Sequence, residues 1–244
     1  YKLKVLILAG GKGTRFMEET KIIPKPMIKL NGTPMIFYIM NHYHKYGLRE
    51  FVILGGIKIE YIYQYFKNNF SEVSEIDKIY NVENKYNVQI LDTGQETMTG
   101  GRVKRAINEL NLNNFMLTYG DGISDVNIDE LKSFNESKDC IATLTAVRPP
   151  ARFGSIEMQG DYITSFGEKN QSSEGWVNGG FFIMKSEISD HIKGDEMPLE
   201  REPLETIADL KKLTVFKHHG YWQPVDTIRE KEITERYLKE QNDQ

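Results

Sequence analysis

The sequence predicts an α/β fold, with a mainly parallel sheet flanked by helices and a smaller, more irregular portion in the second half. Three observations predict it. Apolar runs bounded by turn residues recur along the chain. Several of these runs are apolar throughout, as strands covered on both faces require. Stretches of helical periodicity fill the spaces between them, and strand–helix alternation builds parallel sheets.

The elements follow in order. Lys4–Ala9 is a first strand, and it runs straight into Gly10 and Gly11. Pro34 sits where a first-turn proline is tolerated. Met35, Ile36, Ile39, Met40 and Tyr43 then make one helical stripe, which Gly47 stops. Phe51–Leu54 is the next strand, and Ile59, Ile62, Tyr63 and Phe66 mark the second helix. A third helix opens at Thr99-Gly100-Gly101-Arg102, with Val103, Ala106, Ile107 and Leu110 on its apolar face. Phe115–Tyr119, Ile141–Val147, Phe181–Met184 and Leu213–Phe216 read as strands, and Thr227–Leu238 as a helix. Lys169–Gly175 and Gly194–Glu202 are irregular. Nothing divides the chain sharply, so residues 1–244 form one domain with a soft division at Asp121. The pattern is Rossmann-like.

Composition narrows the classes. The 244 residues are 39% hydrophobic and 27% charged, and 12 Phe with 13 Tyr supply ample core, which excludes a disordered chain. No apolar run approaches the roughly 18–20 residues of a membrane helix. Val5–Ala9 is too short for a signal-peptide core and leads into glycines. Cys140 has no partner for an internal disulfide, which points to a reducing, cytoplasmic setting. The net charge of −4 argues against a binder of bulk nucleic acid, which needs a basic surface.

The chemistry-bearing residues gather after strands. Gly10-Gly11-Lys12-Gly13-Thr14-Arg15 lets backbone N–H groups face an anion, without the spacing of a Walker A loop or a dinucleotide fingerprint. In Pro24-Lys25-Pro26 a lysine stands between two prolines that stiffen its loop. Each piece alone has an ordinary reading, a turn and a solvated lysine; together they describe a phosphate cradle with Arg15 and Lys25 as its charges. Tyr119-Gly120-Asp121-Gly122 places an acid at the carboxyl end of a strand, where ligands bind in open α/β sheets. Asp226 is a second acid that serves either as a magnesium partner of Asp121 or as the N-cap of the following helix. Glu168, Lys169 and Asn178 can meet a phosphate and hydroxyls, or simply lie on a surface loop. Thr99-Gly100-Gly101 is a further anion- or base-reading turn, or an ordinary helix start. His218-His219 lacks neighbouring zinc ligands and reads as a strand-end pair, and Asp195–Glu205 as a solvated loop and helix start.

These residues carry a resemblance. Leu8-Ala9-Gly10-Gly11-x-Gly13-Thr14-Arg15 with Pro24-Lys25-Pro26 resembles the signature of the sugar-phosphate nucleotidyltransferases. Further blocks are similar, in the same order, to the glucose-1-phosphate cytidylyltransferases within that family. They are Leu91-Asp92-Thr93-Gly94, Met98–Arg102, Thr118–Gly122, Pro149–Gly154, Asn178–Phe182 and Trp222-Gln223-Pro224. The resemblance implies transfer of a cytidylyl group from CTP to a phosphate, with Mg2+ as cofactor and pyrophosphate as leaving group. It implies a nucleotide held by Leu8, Gly10, Gly11, Gly13, Thr14 and Gly120, with the turn Thr99, Gly100, Gly101 on base and ribose. Arg15 would hold the β- and γ-phosphates and Lys25 the reacting ones. Asp121 and Asp226 would bind the metal, while Lys169, Tyr119, Glu168, Asn178 and Gly179 would hold the acceptor. Arg15, Lys25, Asp121, Lys169 and Asp226 form the implied catalytic set, and members of the family assemble as homo-oligomers.

Three features depart from the family pattern: a shorter stretch between Asn84 and Asn87, Ile23 in place of a lysine, and Asn170 in place of a proline. Asn170 lies beside the implied acceptor site. The resemblance makes glucose 1-phosphate the leading acceptor, and Asn170 with the short 84–87 stretch motivates the alternative, a phosphorylated non-sugar such as phosphoglutamine. A reading from another class, a nucleotide-binding regulator without catalysis, is opposed by the retention of all five charged residues.

Overall fold

The computed structural model describes residues 3–11, 22–150, 155–159, 162–167 and 175–242. The first half runs β1 (Lys4–Leu8), a single 3-10 turn (Lys25–Met27), the short ladder β2 (Lys29–Leu30) and β3 (Thr33–Pro34), α1 (Met35–Lys45), β4 (Glu50–Gly55) and α2 (Ile59–Asn69). Next come β5 (Ser71–Ser74), β6 (Ile79–Val82), β7 (Tyr86–Asp92), α3 (Thr99–Leu110) and β8 (Asn114–Tyr119). The second half runs β9 (Gly122–Ser124), α4 (Ile128–Glu136), β10 (Ala142–Val147), β11 (Ser155–Gln159), β12 (Tyr162–Gly167) and β13 (Val177–Lys185). A 3-10 segment (Ser186–His191), α5 (Glu202–Asp209), β14 (Leu213–Lys217), β15 (Trp222–Pro224) and α6 (Ile228–Asn242) complete it.

Nine strands form one sheet in the order β14-β10-β13-β8-β1-β4-β7-β6-β5. Its centre, β8-β1-β4-β7, is parallel, and β10 also pairs in parallel with β14. The sheet is more mixed than its apolar runs suggest. β13 lies antiparallel between β8 and β10, and β5, β6 and β7 form an antiparallel meander. Apolar composition reports that a strand is buried, not which way it runs.

Alternate residues of the central strands feed two cores. Val5, Ile7, Phe51, Ile53 and Met116 pack with Met40 and Tyr43 of α1, Ile62 and Phe66 of α2 and Leu131 of α4. Leu6, Val52, Leu54, Phe115 and Leu117 pack with Val103 and Ile107 of α3 and Leu204 and Ile207 of α5. The sheet is thus a middle layer between two helical ones, and its fully covered centre explains the uninterrupted apolar runs.

Local signals set the boundaries. Gly47 takes a φ of +80° just past α1, and its N–H donates to the His44 carbonyl at 2.9 Å. Asn127 caps α4, its side chain accepting from the N–H groups of Asp129 and Glu130 at 3.1 Å each. The Asn84 region is a tight hairpin between β6 and β7, with positive φ at both Glu83 and Asn84, the backbone that two-strand turns favour. Among the described residues no helix is long and apolar enough to cross a membrane.

Candidate active site

A cavity of about 510 Å³ opens over the carboxyl ends of β1, β4, β7 and β8. The ends of four strands supply its wall, so the chain's parallel centre dictates where it lies. Leu8, Gly10 and Gly11 follow β1, and Tyr119, Gly120 and Asp121 follow β8. These two corners are tied together, because the Gly120 N–H donates to the Leu8 carbonyl at 3.0 Å.

Lys25 enters from the 3-10 turn. Pro24 holds an extended backbone with φ −65°, and Pro26 and Met27 are buried beneath the turn. The Lys25 ammonium therefore has one direction to take. It donates to Asp121 Oδ2 at 2.8 Å and to Asp226 Oδ1 at 2.5 Å. Its side chain is 12% exposed, against 42% for Asp121 and 18% for Asp226. Burial pulls the Lys25 pKa down, but the Asp121 and Asp226 carboxylates outweigh burial and hold it above the ordinary lysine value.

The second carboxylate arrives through a long-range pairing. β15 runs antiparallel to β9 with Pro224 opposite Gly122, and the Val225 N–H donates to the Asp121 carbonyl at 2.8 Å. That register sets Asp226 beside Asp121. The helix-cap alternative for Asp226 is answered locally. Thr227 Oγ1 accepts from the Glu230 N–H at 3.2 Å, and the Glu230 carboxylate accepts from the Asp226 N–H at 2.8 Å. Capping thus falls to Thr227, and the Asp226 side chain turns to Lys25.

Arg102 completes the wall; the sequence offered it only as the last residue of the Thr99–Arg102 turn, without a role of its own. It is 4% exposed, in the first turn of α3. Its guanidinium donates to the carbonyls of Gly55 and Gly94, at 2.8 Å each, and of Gly10, at 3.0 Å, and to Thr93 Oγ1 at 2.7 Å. Three strand–helix corners are thereby gathered on one planar cation, whose fork suits several acceptors at once. A Cβ on Gly10 would lie 2.2 Å from this guanidinium, and one on Gly56 2.4 Å from it, so both positions need glycine. Among the described residues Arg102 has no carboxylate in salt-bridge contact, and burial draws its pKa down, opposed by the charge of Asp92. The signal in the sequence was an arginine directly after two helix-opening glycines.

Those glycines also seat a neighbouring segment. Cβ atoms on Gly100 and Gly101 would lie 2.5 Å from the Met197 carbonyl oxygen and 2.6 Å from Asp195 Cα. The N–H groups of Met98 and Gly100 donate to the carbonyls of Asp195 and Met197, at 2.7 and 3.0 Å. The start of α3 is spent on the 194–200 strap, which is therefore docked where a solvated loop was expected; of the turn, Thr99 lines the cavity.

Around Tyr119 a hydrogen-bond chain forms. Asn178 Nδ2 donates to the Tyr119 hydroxyl at 2.9 Å, and that hydroxyl donates to Glu200 Oε1 at 2.7 Å. Thr99 Oγ1 donates to Glu200 Oε2 at 2.6 Å. Burial and the Glu200 charge push the Tyr119 pKa up, so it remains a neutral donor. Gly179 instead gives its carbonyl to Trp222 Nε1 at 2.8 Å. Glu200 is a second residue that the sequence left unassigned, since it sits alone in an acidic stretch. His218 pairs with Asp125 at 2.9 Å, away from the cavity. Gly13, Thr14, Arg15, Glu168 and Lys169 lie outside the described residues.

The geometry therefore joins Leu8, Gly10, Gly11, Lys25, Thr99, Tyr119, Gly120, Asp121 and Asp226 on one cavity, with Asn178 behind Tyr119. The arrangement can receive a polyanion: two buried cations, open backbone at Gly11 and a pair of acids that one cation bridges. Relatives agree with it. Over 240 residues the chain is 40% identical to a glucose-1-phosphate cytidylyltransferase of Salmonella typhi, covering 94% of this chain and 93% of that one. A probable glucose-1-phosphate cytidylyltransferase of Bacillus subtilis is 36% identical, over 93% of this chain and 92% of its own. The crystal structure of HddC from Yersinia pseudotuberculosis shares the fold, with a TM-score of 0.71 at 21% identity over 97% of this chain and 99% of that one. Residues 4–225, from the first strand to just short of Asp226, match the nucleotidyl transferase family model, and the chain belongs to that family.

Proposed function

We propose that this nucleotidyltransferase joins CTP and glucose 1-phosphate into CDP-glucose and pyrophosphate. The observation that carries the reading is Lys25 held between Asp121 and Asp226 in the cavity wall, in a chain 40% identical to a glucose-1-phosphate cytidylyltransferase. A phosphate oxygen of glucose 1-phosphate attacks the α-phosphorus of CTP. The new P–O bond forms as the bond to the β-phosphate bridge breaks, and the electron pair leaves with pyrophosphate. No side-chain nucleophile is needed. The obstacle is repulsion between two polyanions, about 4 kcal/mol per unit-charge pair at ~4 Å and an effective dielectric near 20.

The chain's own residues lower that barrier. Lys25 presents its charge to the reacting phosphates from a stiff turn, with little orientation left to lose. Arg102 adds a buried positive charge beside the Gly10 corner. Arg15 and Lys169 extend the cationic set on the leaving and acceptor phosphates. Tyr119, its hydroxyl held between Asn178 and Glu200, presents a fixed ring edge to the acceptor.

A divalent ion fits Asp121 and Asp226. Both carboxylate oxygens lie within hydrogen-bond reach of one ammonium nitrogen, so one cation can touch both, and Mg2+ favours one or two carboxylates with phosphate oxygens. Among the described residues no third His, Cys, Asp or Glu joins them. Bound there, Mg2+ would neutralise phosphate charge. On the same reading the chain works in the cytoplasm as a homo-oligomer; sedimentation as a monomer would remove the second statement.

The test is pyrophosphate release with Mg2+, crossing CTP, UTP, dTTP, ATP and GTP against glucose 1-phosphate and other small phosphates. The expected result is turnover with CTP and glucose 1-phosphate at a kcat above about 1 s⁻¹. Release with CTP from a non-sugar phosphate alone would replace the acceptor, and silence across the panel would overturn the reaction.

A further inference from the structure

The cavity rim holds a carboxylate that the reaction above leaves unused. Glu200 is exposed, yet its two oxygens are both anchored, Oε1 to the Tyr119 hydroxyl at 2.7 Å and Oε2 to Thr99 Oγ1 at 2.6 Å. Its backbone is anchored as well. The strap that carries it is zipped to the start of α3 by the Met98 and Gly100 N–H groups, and the Leu199 N–H donates to Thr99 Oγ1 at 2.9 Å. The strap lies close against the helix, because Gly100 and Gly101 carry no Cβ to hold it off. A long, flexible acid is thus fixed at one place, which surface glutamates rarely are.

Its position has a chemical consequence. Each carboxylate oxygen accepts about two hydrogen bonds, and among the described residues each has one protein donor, so capacity remains for a ligand. An acceptor-only group suits a ligand rich in hydroxyl donors. The same charge repels a ligand that brings its own carboxylate. The Glu200–Tyr119–Asn178 chain leads away from the Gly10 corner toward β13, which points this preference to the acceptor, while the Thr99 contact makes a role on the ribose the competing outcome of the test.

We propose that Glu200 is a specificity determinant for the acceptor: it favours a neutral, polyhydroxylated phosphate ester and rejects one bearing a carboxylate. The inference rests on the cytidylyltransferase reading above. It also decides between the two acceptor classes that the sequence left open, since phosphoglutamine carries a carboxylate and glucose 1-phosphate does not.

The experiment compares glucose 1-phosphate with glucuronic acid 1-phosphate, the same ring with one carboxylate, in the wild type and in Glu200→Gln. Glutamine keeps the length and the planar group and removes the charge. The wild type is expected to prefer glucose 1-phosphate in kcat/KM by well over tenfold. Glu200→Gln is expected to shrink that preference by about tenfold or more, the weight of one close charge pair near a protein surface, with the KM for CTP within about twofold. A merely structural role would lower both acceptors in the same proportion, and that result overturns the proposal. So does a rise confined to the KM for CTP, which would put Glu200 on the ribose. If the wild type turns over glucose 1-phosphate and the preference is unchanged in the variant, only this inference falls. If the wild type turns over neither acceptor, the underlying reading falls and takes this one with it.

Discussion

Removing the Lys25 ammonium tests the site most directly. In Lys25→Ala the Asp121 and Asp226 carboxylates lose the cation that stands 2.8 and 2.5 Å from them. Two effects follow, and they have different sizes. In the free enzyme the acids now face one another. Breaking a fully buried pair costs about 3–5 kcal/mol. Asp121 is 42% exposed, however, so water screens the loss to about 1–2 kcal/mol. For a chain of this length that is a fall in Tm of about 2–8 °C. In the reaction a charge contact to the reacting phosphates disappears, worth about 2.7–4 kcal/mol, or roughly 100- to 1,000-fold in kcat/KM. Pyrophosphate release at subsaturating CTP, alongside a thermal melt of the same preparation, measures both. A loss of kcat/KM under about threefold, in a protein that melts normally, would show that Lys25 sits in the site without working there.

Other predictions follow from neighbouring contacts. Arg102→Met strands the carbonyls of Gly10 and Gly94, while that of Gly55 keeps its two Thr93 donors, so urea unfolding should show a loss of about 2–4 kcal/mol, and a loss below about 1 kcal/mol would contradict its tying role. Gly100→Ala should destabilise, although alanine is worth about 1 kcal/mol more than glycine in a helix interior, because its Cβ would meet the Met197 carbonyl; a rise in Tm would refute that packing. Thr227→Ala should cost about 1 kcal/mol of stability with unchanged Mg2+ dependence, and Asp226→Asn should raise the Mg2+ requirement; the reverse pattern would return the capping role to Asp226. Burial raises the Asp125 pKa, but its bonds to His218 outweigh burial and hold it below the ordinary value. Its stabilisation is therefore present above the unfolded value of about 3.9 and is lost as pH falls through the lower folded one, so the stability gap between wild type and Asp125→Asn should close below about pH 4. A gap that stays constant across that range would speak against it.

What the sequence revealed depended on how locally each feature is encoded. The strands at the sheet centre were legible because both faces are buried, so Lys4–Leu8 and Asn114–Tyr119 read as apolar runs. β5 escaped notice because it is short and polar, as expected at a solvated edge, β6 because four residues are too few to show a pattern, and β7 because Asn87 and Gln89 interrupt its apolar residues. The parallel sense of the sheet was inferred from helices between strands, and it fails at β13, where no periodicity records direction. Within the site, contiguous pieces such as Gly10-Gly11 and Pro24-Lys25-Pro26 announced themselves. Asp226 was legible only as one of two options, since choosing between them needs the β9–β15 register. Arg102 was legible only as the end of a helix-opening turn, and Glu200 only as one acid of an exposed stretch, for the same reason. Their partners stand up to 92 and 101 residues away, and nothing in their own neighbourhoods says that one is buried and the other anchored.

The β9–β15 register also sets when the protein can begin to work. Lys25 and Asp226 meet across 201 residues, and the sheet centre that positions Lys25 is built entirely from earlier segments. A chain emerging from the ribosome can therefore pair β1, β4, β7 and β8 and shape the cavity floor well before its second acid exists. Turnover must wait until the segment bearing Trp222–Asp226 has been synthesised and has docked against Gly122–Ser124. In refolding, recovery of activity should trail recovery of sheet structure. The Lys25–Asp226 contact thus reports the docking of that late segment, and on the proposed reading a molecule without it is held silent by topology, with no inhibitor required.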